Sequence, residues 1–316
     1  MNKIVYMSVE EGFEKTPVDK KYETSRLVME LLNARPDVDL VLVHPGDYNL
    51  NDGSINRAFD FVNPTTIKQS KSSHFPSGDM FIIYGDETSK NAGLDFGRNQ
   101  YSFLKNLKQN NSFSYFFNEP ETEELTLKDG LIKLSIDDSL PVAKTVYFNS
   151  FDQTKELINQ YGSIIIKPIF GCAGAGVNKL SLIEDIFNLD VSENDLQGNY
   201  VLQEPLFGDE TRITLLDGKF LWSMRHQNRS APWAKNEKHS SNFYQPNEEE
   251  LNSARKISDA VGAYLIGVDF IGTKVNEING TGTGMSRNYK GGSPILDLHA
   301  NKFVERIIST VYGGLK

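Results

Sequence analysis

Glu277 and Asn279 stand two residues apart in KVNEIN (274–279), and Asp269 precedes them in LIGVDFI (265–271). Alternate side chains of a β-strand share a face, so Glu277 and Asn279 point the same way. The stretch 263–285 (AYLIGVDFIGTKVNEINGTGTGM) reads as two strands, 263–271 and 274–279, joined around Gly272-Thr273. A three-residue loop at 272–274 places Asp269 directly across from Glu277. Two carboxylates and an amide oxygen then converge on one spot. Left alone, the carboxylates repel; a hard divalent cation resolves the conflict. Mg²⁺ suits such a set, taking one or two carboxylates together with substrate phosphates. The alternative is a solvated hairpin whose polar residues face water. The Gly- and Thr-rich continuation, 280–284, favours the cation, because such a backbone can approach an anion closely.

A second stretch carries complementary chemistry. SIIIKP (163–168) is an apolar strand ending in Lys167 and opening into FGCAGAGV (170–177). Glycines let backbone N–H groups face an anion, and the lysine supplies a point charge, so this reads as a phosphate-covering loop. It is not a Walker A loop: the lysine precedes the glycines, and no helix-opening Gly-Lys-Ser/Thr follows. The alternative is a plain hairpin tip. Cys172 has no assigned base and reads as a small loop residue. A hairpin with an Asp217-Gly218 turn carries Arg212 near its start and Arg225 at its end.

The frame around these residues is acidic. The 316 residues carry a net charge of −9 and no basic tract, which argues against a general nucleic-acid binder. Any anion pocket must therefore be local. One cysteine excludes a disulfide framework or a multi-thiolate zinc site and fits a reducing compartment. The opening apolar run 4–9 is too short for a signal peptide, and no window is long enough to span a membrane. A soluble, cytoplasmic protein is expected.

The elements that must position the site read in order. Strand 3–9, helix 24–33 and strand 39–44 form a parallel α/β unit. A third strand at 79–84, a helix at 100–107 and a short strand at 113–117 complete a first lobe ending near residue 119. The central stretch holds a strand at 145–148, a helix at 152–161 capped from Ser150 or Asp152, strand 163–168 and strand 199–203. The arginine hairpin, 212–216 and 219–224, follows. Trp222, Phe220 and Met224 read as core. An amphipathic helix at 248–261 delivers the chain to the acidic hairpin, and a helix at 300–311 ends it.

Together these pieces resemble the ATP-grasp superfamily, and most closely prokaryotic glutathione synthetase. GVDFIGTKVNEING (267–280) is similar to that family's G-x-D-x-x-G…x-E-I-N element, and IIIKPIFGCAG (164–174) to its I-x-K-P-x-x-G-x-G-G loop, with Ala173 where glycine is usual. VLQEPLFGDETRITLLDGKF (201–220) resembles its hinge strand and arginine hairpin, and HPGDYNLNDGSINRA (44–58) a first-lobe segment. Four motifs in order are far more specific than any one.

The resemblance implies an α/β ATP-grasp fold: an N-terminal parallel-sheet, Rossmann-like substrate lobe (1–119), then a central lobe (120–200) and a C-terminal lobe (201–316) clamping ATP. It implies that Lys167, Gly171 and Gly174 meet the nucleotide phosphates, with Lys128, or else Lys133, as the earlier phosphate lysine. Gln203, Glu204 and Leu206 would form the adenine hinge and Glu210 would reach the ribose. Arg212 and Arg225 match arginines that hold the reacting carboxylate and phosphate; Asp269, Glu277 and Asn279 match the Mg²⁺ ligands. Asn242, Arg229, Gly282 and Thr283 would face the substrate. The implied reaction is acyl activation by ATP followed by amide formation between a small carboxylate and an amine, in a homodimer or tetramer.

Two segments depart from the family. Its R-x-D-P-P-type segment after the third strand is here Tyr84-Gly85-Asp86-Glu87-Thr88, and its N-L-x-x-G-G loop is Asn242-Phe243-Tyr244-Gln245-Pro246. The nucleotide motifs are kept and the acceptor segments are not. Arg229 or Arg287 could supply the missing charge. Three other readings stand beside the ligase: a peptide- or protein-modifying amino-acid ligase of the ribosomal-protein glutamate ligase type, a small-molecule kinase on the same scaffold, and a non-catalytic nucleotide-binding module.

Overall fold

The computed structural model describes residues 3–8, 23–44, 47, 49, 54–63, 66–70, 77–83, 101–170, 176–189, 191–227, 240–281, 283 and 292–313. The chain divides into two compact units: Met1–Glu123, Ala263–Leu265 and Gly280–Lys316 form one, Glu124–Gly262 and Ile266–Asn279 the other.

The first unit is built on a six-stranded sheet. Its strands are β1 (Lys3–Ser8), β2 (Val38–Val43), β3 (Ala58–Asn63), β4 (Thr66–Gln69), β5 (Gly78–Ile83) and β6 (Phe113–Phe117), in spatial order β4-β3-β2-β1-β5-β6. β1, β2, β5 and β6 run parallel, while β3 and β4 extend the sheet antiparallel. The sequence reading anticipated the parallel strands and missed the two antiparallel ones. Helix α1 (Glu23–Asn33) and the helix at 101–109 (α2) connect strands, and α8 (Gly292–Gly313) packs against α1. The last helix starts well before residue 300. The middles of β1, β2 and β5 are apolar and buried (Val5, Met7, Leu40, Leu42, Met80, Phe81 and Ile82), as parallel strands require, while Lys3, Asp39 and Asp79 lie near the strand ends.

The division falls within α3 (Pro120–Leu125), whose residues up to Glu123 belong to the first unit; the second unit holds α4 (Gly130–Leu134) and two antiparallel sheets. One has the order β7-β10-β8-β9: β7 (Thr145–Tyr147), β8 (Ile164–Pro168), β9 (Asn178–Leu180) and β10 (Tyr200–Gln203). Helix α5 (Phe151–Tyr161) covers it. Ser150 caps that helix by accepting from Gln153 N, and Gly162, with φ 76°, closes it in the left-handed conformation. Ile164, Ile166, Leu180 and Leu202 face this core with Phe148 and Ile158. Alternation then turns Ile165 and Lys167 to the other face.

The second sheet has the order β13-β12-β11-β14-β15. Its strands are β11 (Glu210–Leu216), β12 (Lys219–Gln227), β13 (Ser240–Phe243), β14 (Leu265–Ile271) and β15 (Lys274–Asn279); the short α6 (Glu193–Leu196) precedes it, and α7 (Glu248–Val261) packs on β11. Asp217 and Gly218 both have positive φ, 50° and 69°, the two-residue turn that matches strand twist. α7 opens on a capping box: Asn247 accepts from Glu250 N while Glu250 accepts from Asn247 N.

Candidate active site

The hairpin β14–β15 turns on two residues, not three. Ile271 pairs with Lys274 and Phe270 with Val275. Continued without interruption, that register would set Asp269 opposite Asn276. Instead a bulge makes Asn276 an extra residue and brings Glu277 opposite Asp269. The expected pairing of Asp269 with Glu277 is therefore present, but a bulge and not the loop length produces it. Gly272 holds the turn: its φ is 62°, and a Cβ there would lie 2.7 Å from the Phe207 carbonyl oxygen.

Asp269, Glu277 and Asn279 thus share a face, since Asn279 pairs with Gly267 one pleat away. Asp269 is 3% exposed and accepts two hydrogen bonds of 2.6 Å from Nε and Nη2 of Arg212; Asn279 Nδ2 donates to the same carboxylate at 3.1 Å. Burial pushes the Asp269 carboxyl above its usual range, and the Arg212 charge only partly offsets it. Burial acts the same way on Glu277, but Lys128, Lys167 and Arg212 together outweigh it and hold that carboxyl low.

Lys128, between α3 and α4, places Nζ 3.6 Å from Glu277. It is 8% exposed, whereas Lys133, one of the two sequence candidates, is exposed in the last turn of α4. Lys167 is buried, and burial lowers its ammonium to about 8. Its Nζ donates to Gln203 Oε1 at 2.6 Å and to Asn276 Oδ1 at 2.7 Å. Hydrogen bonds from Val275 N to Pro141 O (2.7 Å) and from Ala143 N to Val275 O (3.1 Å) fasten β15 beside this sheet. That junction carries Asn276 and Glu277 to the two lysines.

Arg212 and Arg225, joined in the sequence reading, are not together. Arg212 pairs with Met224 across the β11–β12 ladder and Arg225 with Thr211, so the two arginines lie on opposite faces. Arg225 binds Glu250 of α7 at 2.9 Å and stacks 4.2 Å from the Tyr244 ring centre. Asn242 pairs with Arg225 and shares its face, away from Arg212. Glu204 accepts from Lys274 Nζ (2.5 Å) and Lys144 N (2.8 Å). Leu206 is buried with Ala143 and Ile271. Glu210 begins β11 opposite His226. Thr283 is buried, its N–H donating to Gly280 O at 2.9 Å. Gly171, Gly174, Arg229 and Gly282 lie outside the described residues, as do Tyr84–Thr88 and Arg287.

The residue sequence reasoning missed is Asn276. Strict alternation turns it away from Glu277; only the bulge brings both to the site. Among the described residues no cluster of three His, Cys, Asp or Glu occurs. The all-oxygen set of two carboxylates and an amide nevertheless fits Mg²⁺, which completes its shell with water and phosphate.

Comparison with known proteins decides the family. The ATP-grasp domain of prokaryotic glutathione synthetase matches residues 131–290, just over half of the chain. The chain belongs to this ATP-grasp family. It is an ATP-grasp ligase. D-alanyl-alanine synthetase A from Vibrio cholerae O1 biovar eltor superposes with a TM-score of 0.65 at 14% identity, covering 99% of this chain and 98% of that one. D-cycloserine synthetase DcsG gives 0.62 at 13% identity, over 96% and 99% of the two chains. The ATP-grasp ligase PsnB, complexed with minimal precursor, Mg and ADP, gives 0.58 at 17% identity over 96% of each. These likenesses are of fold. No curated protein matches the chain in sequence. No helix among the described residues is long and apolar enough to cross a membrane.

Proposed function

We propose that the chain joins a small carboxylate to an amine at the expense of ATP, through an acyl phosphate. The observation that carries this reading is the convergence, from both sheets and the α3–α4 turn, of Lys128, Lys167, Glu277, Asp269, Asn279 and Arg212. Cations and hard oxygen ligands converge there, and no general base or nucleophile is needed. In such a reaction the protein positions reactants and neutralises spreading negative charge.

The roles follow from position. Lys167 and Lys128 bind nucleotide phosphates. Asp269, Glu277 and Asn279 would hold Mg²⁺, which supplies charge stabilisation at the phosphoryl oxygens. Arg212 orients the carboxylate that takes the γ-phosphoryl group; an amine then attacks the activated carbonyl and phosphate leaves. Gln203, Glu204 and Leu206 form the adenine hinge, and Glu210 reaches the ribose. Arg225, tied to Glu250 and Tyr244, supports the sheet beneath α7. The substrates are an amino acid or short peptide and an amine. A homodimer or tetramer working in the cytoplasm fits this role.

ADP release, screened over pairs of amino acids and short γ-glutamyl peptides with amide product identified by mass, tests the reading. Substrate-dependent ADP release with a new amide supports it. A phosphorylated product without amide makes the protein a kinase, and the absence of nucleotide turnover with any pair counts against catalysis of this class.

A further inference from the structure

We propose that Asn276 is a positioning residue that aims Lys167 at the nucleotide phosphates, and that the β15 bulge serves this contact as well as the carboxylates. The inference rests on the nucleotide-site reading above and deepens it.

A lysine ammonium is a point charge on a flexible four-carbon stem, with three donors to satisfy. Lys167 is buried, and two short bonds fix its head from two different sheets: Gln203 Oε1 on β10 and Asn276 Oδ1 on β15. The third contact, to the Asn276 carbonyl oxygen, is long at 3.5 Å. A contact that long holds the third donor only weakly, which leaves it for a phosphate oxygen to engage. The clamp is itself braced. Gln203 Nε2 donates to Thr145 Oγ1 at 3.2 Å and to the Asn276 carbonyl at 3.3 Å.

The chemistry of the clamp is selective. Both short acceptors are neutral amide oxygens, so they orient the ammonium without neutralising it. A carboxylate in either place would compete with phosphate for the charge. The backbone carbonyl of residue 276 keeps Gln203 in place whatever side chain follows, so the side chain can be removed without dismantling the brace.

Titration of the full chain with ADP in the presence of Mg²⁺ tests this, with adenosine as the phosphate-free control. Loss of one hydrogen bond to a charged group predicts that Asn276→Val weakens ADP about tenfold and adenosine less than about twofold; the lost bond also lowers Tm, which affects both ligands alike. In a Lys167→Met background the same change should alter ADP affinity by less than about twofold, because there is no ammonium left to aim. Equal losses for ADP and adenosine, an undiminished loss in the Lys167→Met background, or no loss at all would each overturn the proposal. Asn276→Ser, whose hydroxyl is too short to reach, repeats the measurement should the valine variant not fold. A wild-type chain that does not bind ADP sinks the nucleotide site and this inference with it. Binding by wild type with the variant unaffected sinks only the role of Asn276.

Discussion

Arg212 grips Asp269 with two parallel hydrogen bonds of 2.6 Å, so the most buried acid of the site is held by a guanidinium fork. The pair is unequal in exposure, 4% for the Asp269 side chain and 26% for Arg212. That inequality sets which partner matters more to stability. Removing the arginine leaves a charge with no route to water; removing the acid leaves an arginine that can turn outward.

Arg212→Met is therefore expected to destabilise the chain by about 3–5 kcal/mol, and Asp269→Asn by clearly less. Urea unfolding of the two variants measures the difference. Asp269→Asn should fold normally and lose most ATP turnover, as should Glu277→Gln. Equal destabilisation would mean the carboxylate is not isolated by loss of its partner.

The lysines separate in the same way. Lys128→Met and Lys167→Ala should each weaken ATP binding and slow phosphoryl transfer, because Lys128 faces Glu277 and Lys167 is clamped beside it. Lys133→Ala should be near neutral, its side chain being exposed. Nucleotide titration decides the order. A larger loss from Lys133→Ala than from Lys128→Met reverses the assignment.

Gly280 is required for its lack of a side chain. A Cβ there would lie 2.1 Å from Glu123 Oε2, and Glu123 cannot simply swing aside: it is buried and accepts from Asn118 Nδ2 (2.7 Å) and Thr281 N (2.9 Å). Gly280→Ala is expected to cost about 1–3 kcal/mol, the range for overpacking and for a broken buried bond. A thermal melt indistinguishable from wild type would show that the carboxylate relocates freely.

His299, buried in α8, is held neutral: burial lowers its imidazolium to about 4. Because the folded value lies below the unfolded one, the unfolded chain takes up the proton first on acidification. The stability from this group is complete above about pH 6.5 and is lost as pH falls towards 4, at most roughly 3 kcal/mol in total. Denaturation of wild type and His299→Asn between those pH values gives the contribution as a difference in slope. A slope unchanged by the substitution would show that other groups carry the acid sensitivity.

The substrate prediction rests on the departures at residues 84–88 and 242–246. γ-Glutamylcysteine with glycine should be used poorly, about ten- to a hundredfold below a dedicated substrate pair. That is the effect of losing one charge-assisted pair to a substrate carboxylate, roughly 1.5–3 kcal/mol. Steady-state kinetics with that pair is the check. A kcat/KM of about 10⁴ M⁻¹s⁻¹ or more would show that the pocket is rebuilt from other residues.

Local rules written into the chain determined much of this protein. Ser150 and Gly162 bound α5, Asp217-Gly218 turns β11 into β12, and the apolar run Ile164–Ile166 marks the strand that ends at Lys167. Those features depend on residues close in sequence, so spacing and residue type suffice to read them. β3 and β4 escaped because their short, polar-interrupted runs gain stability only by extending a sheet already present. What faces what across strands was decided by tertiary structure. One inserted residue in β15 flips every later side chain, and no period-2 count detects it. Whether Arg212 meets Asp269, and whether Arg225 lies on the same face, depends on ladder registers set by whole-sheet packing. Asn276 reaches Lys167 for the same reason: the bulge, and the bonds from Val275 to Pro141 and Ala143 that seat it, exist only once the two sheets are joined.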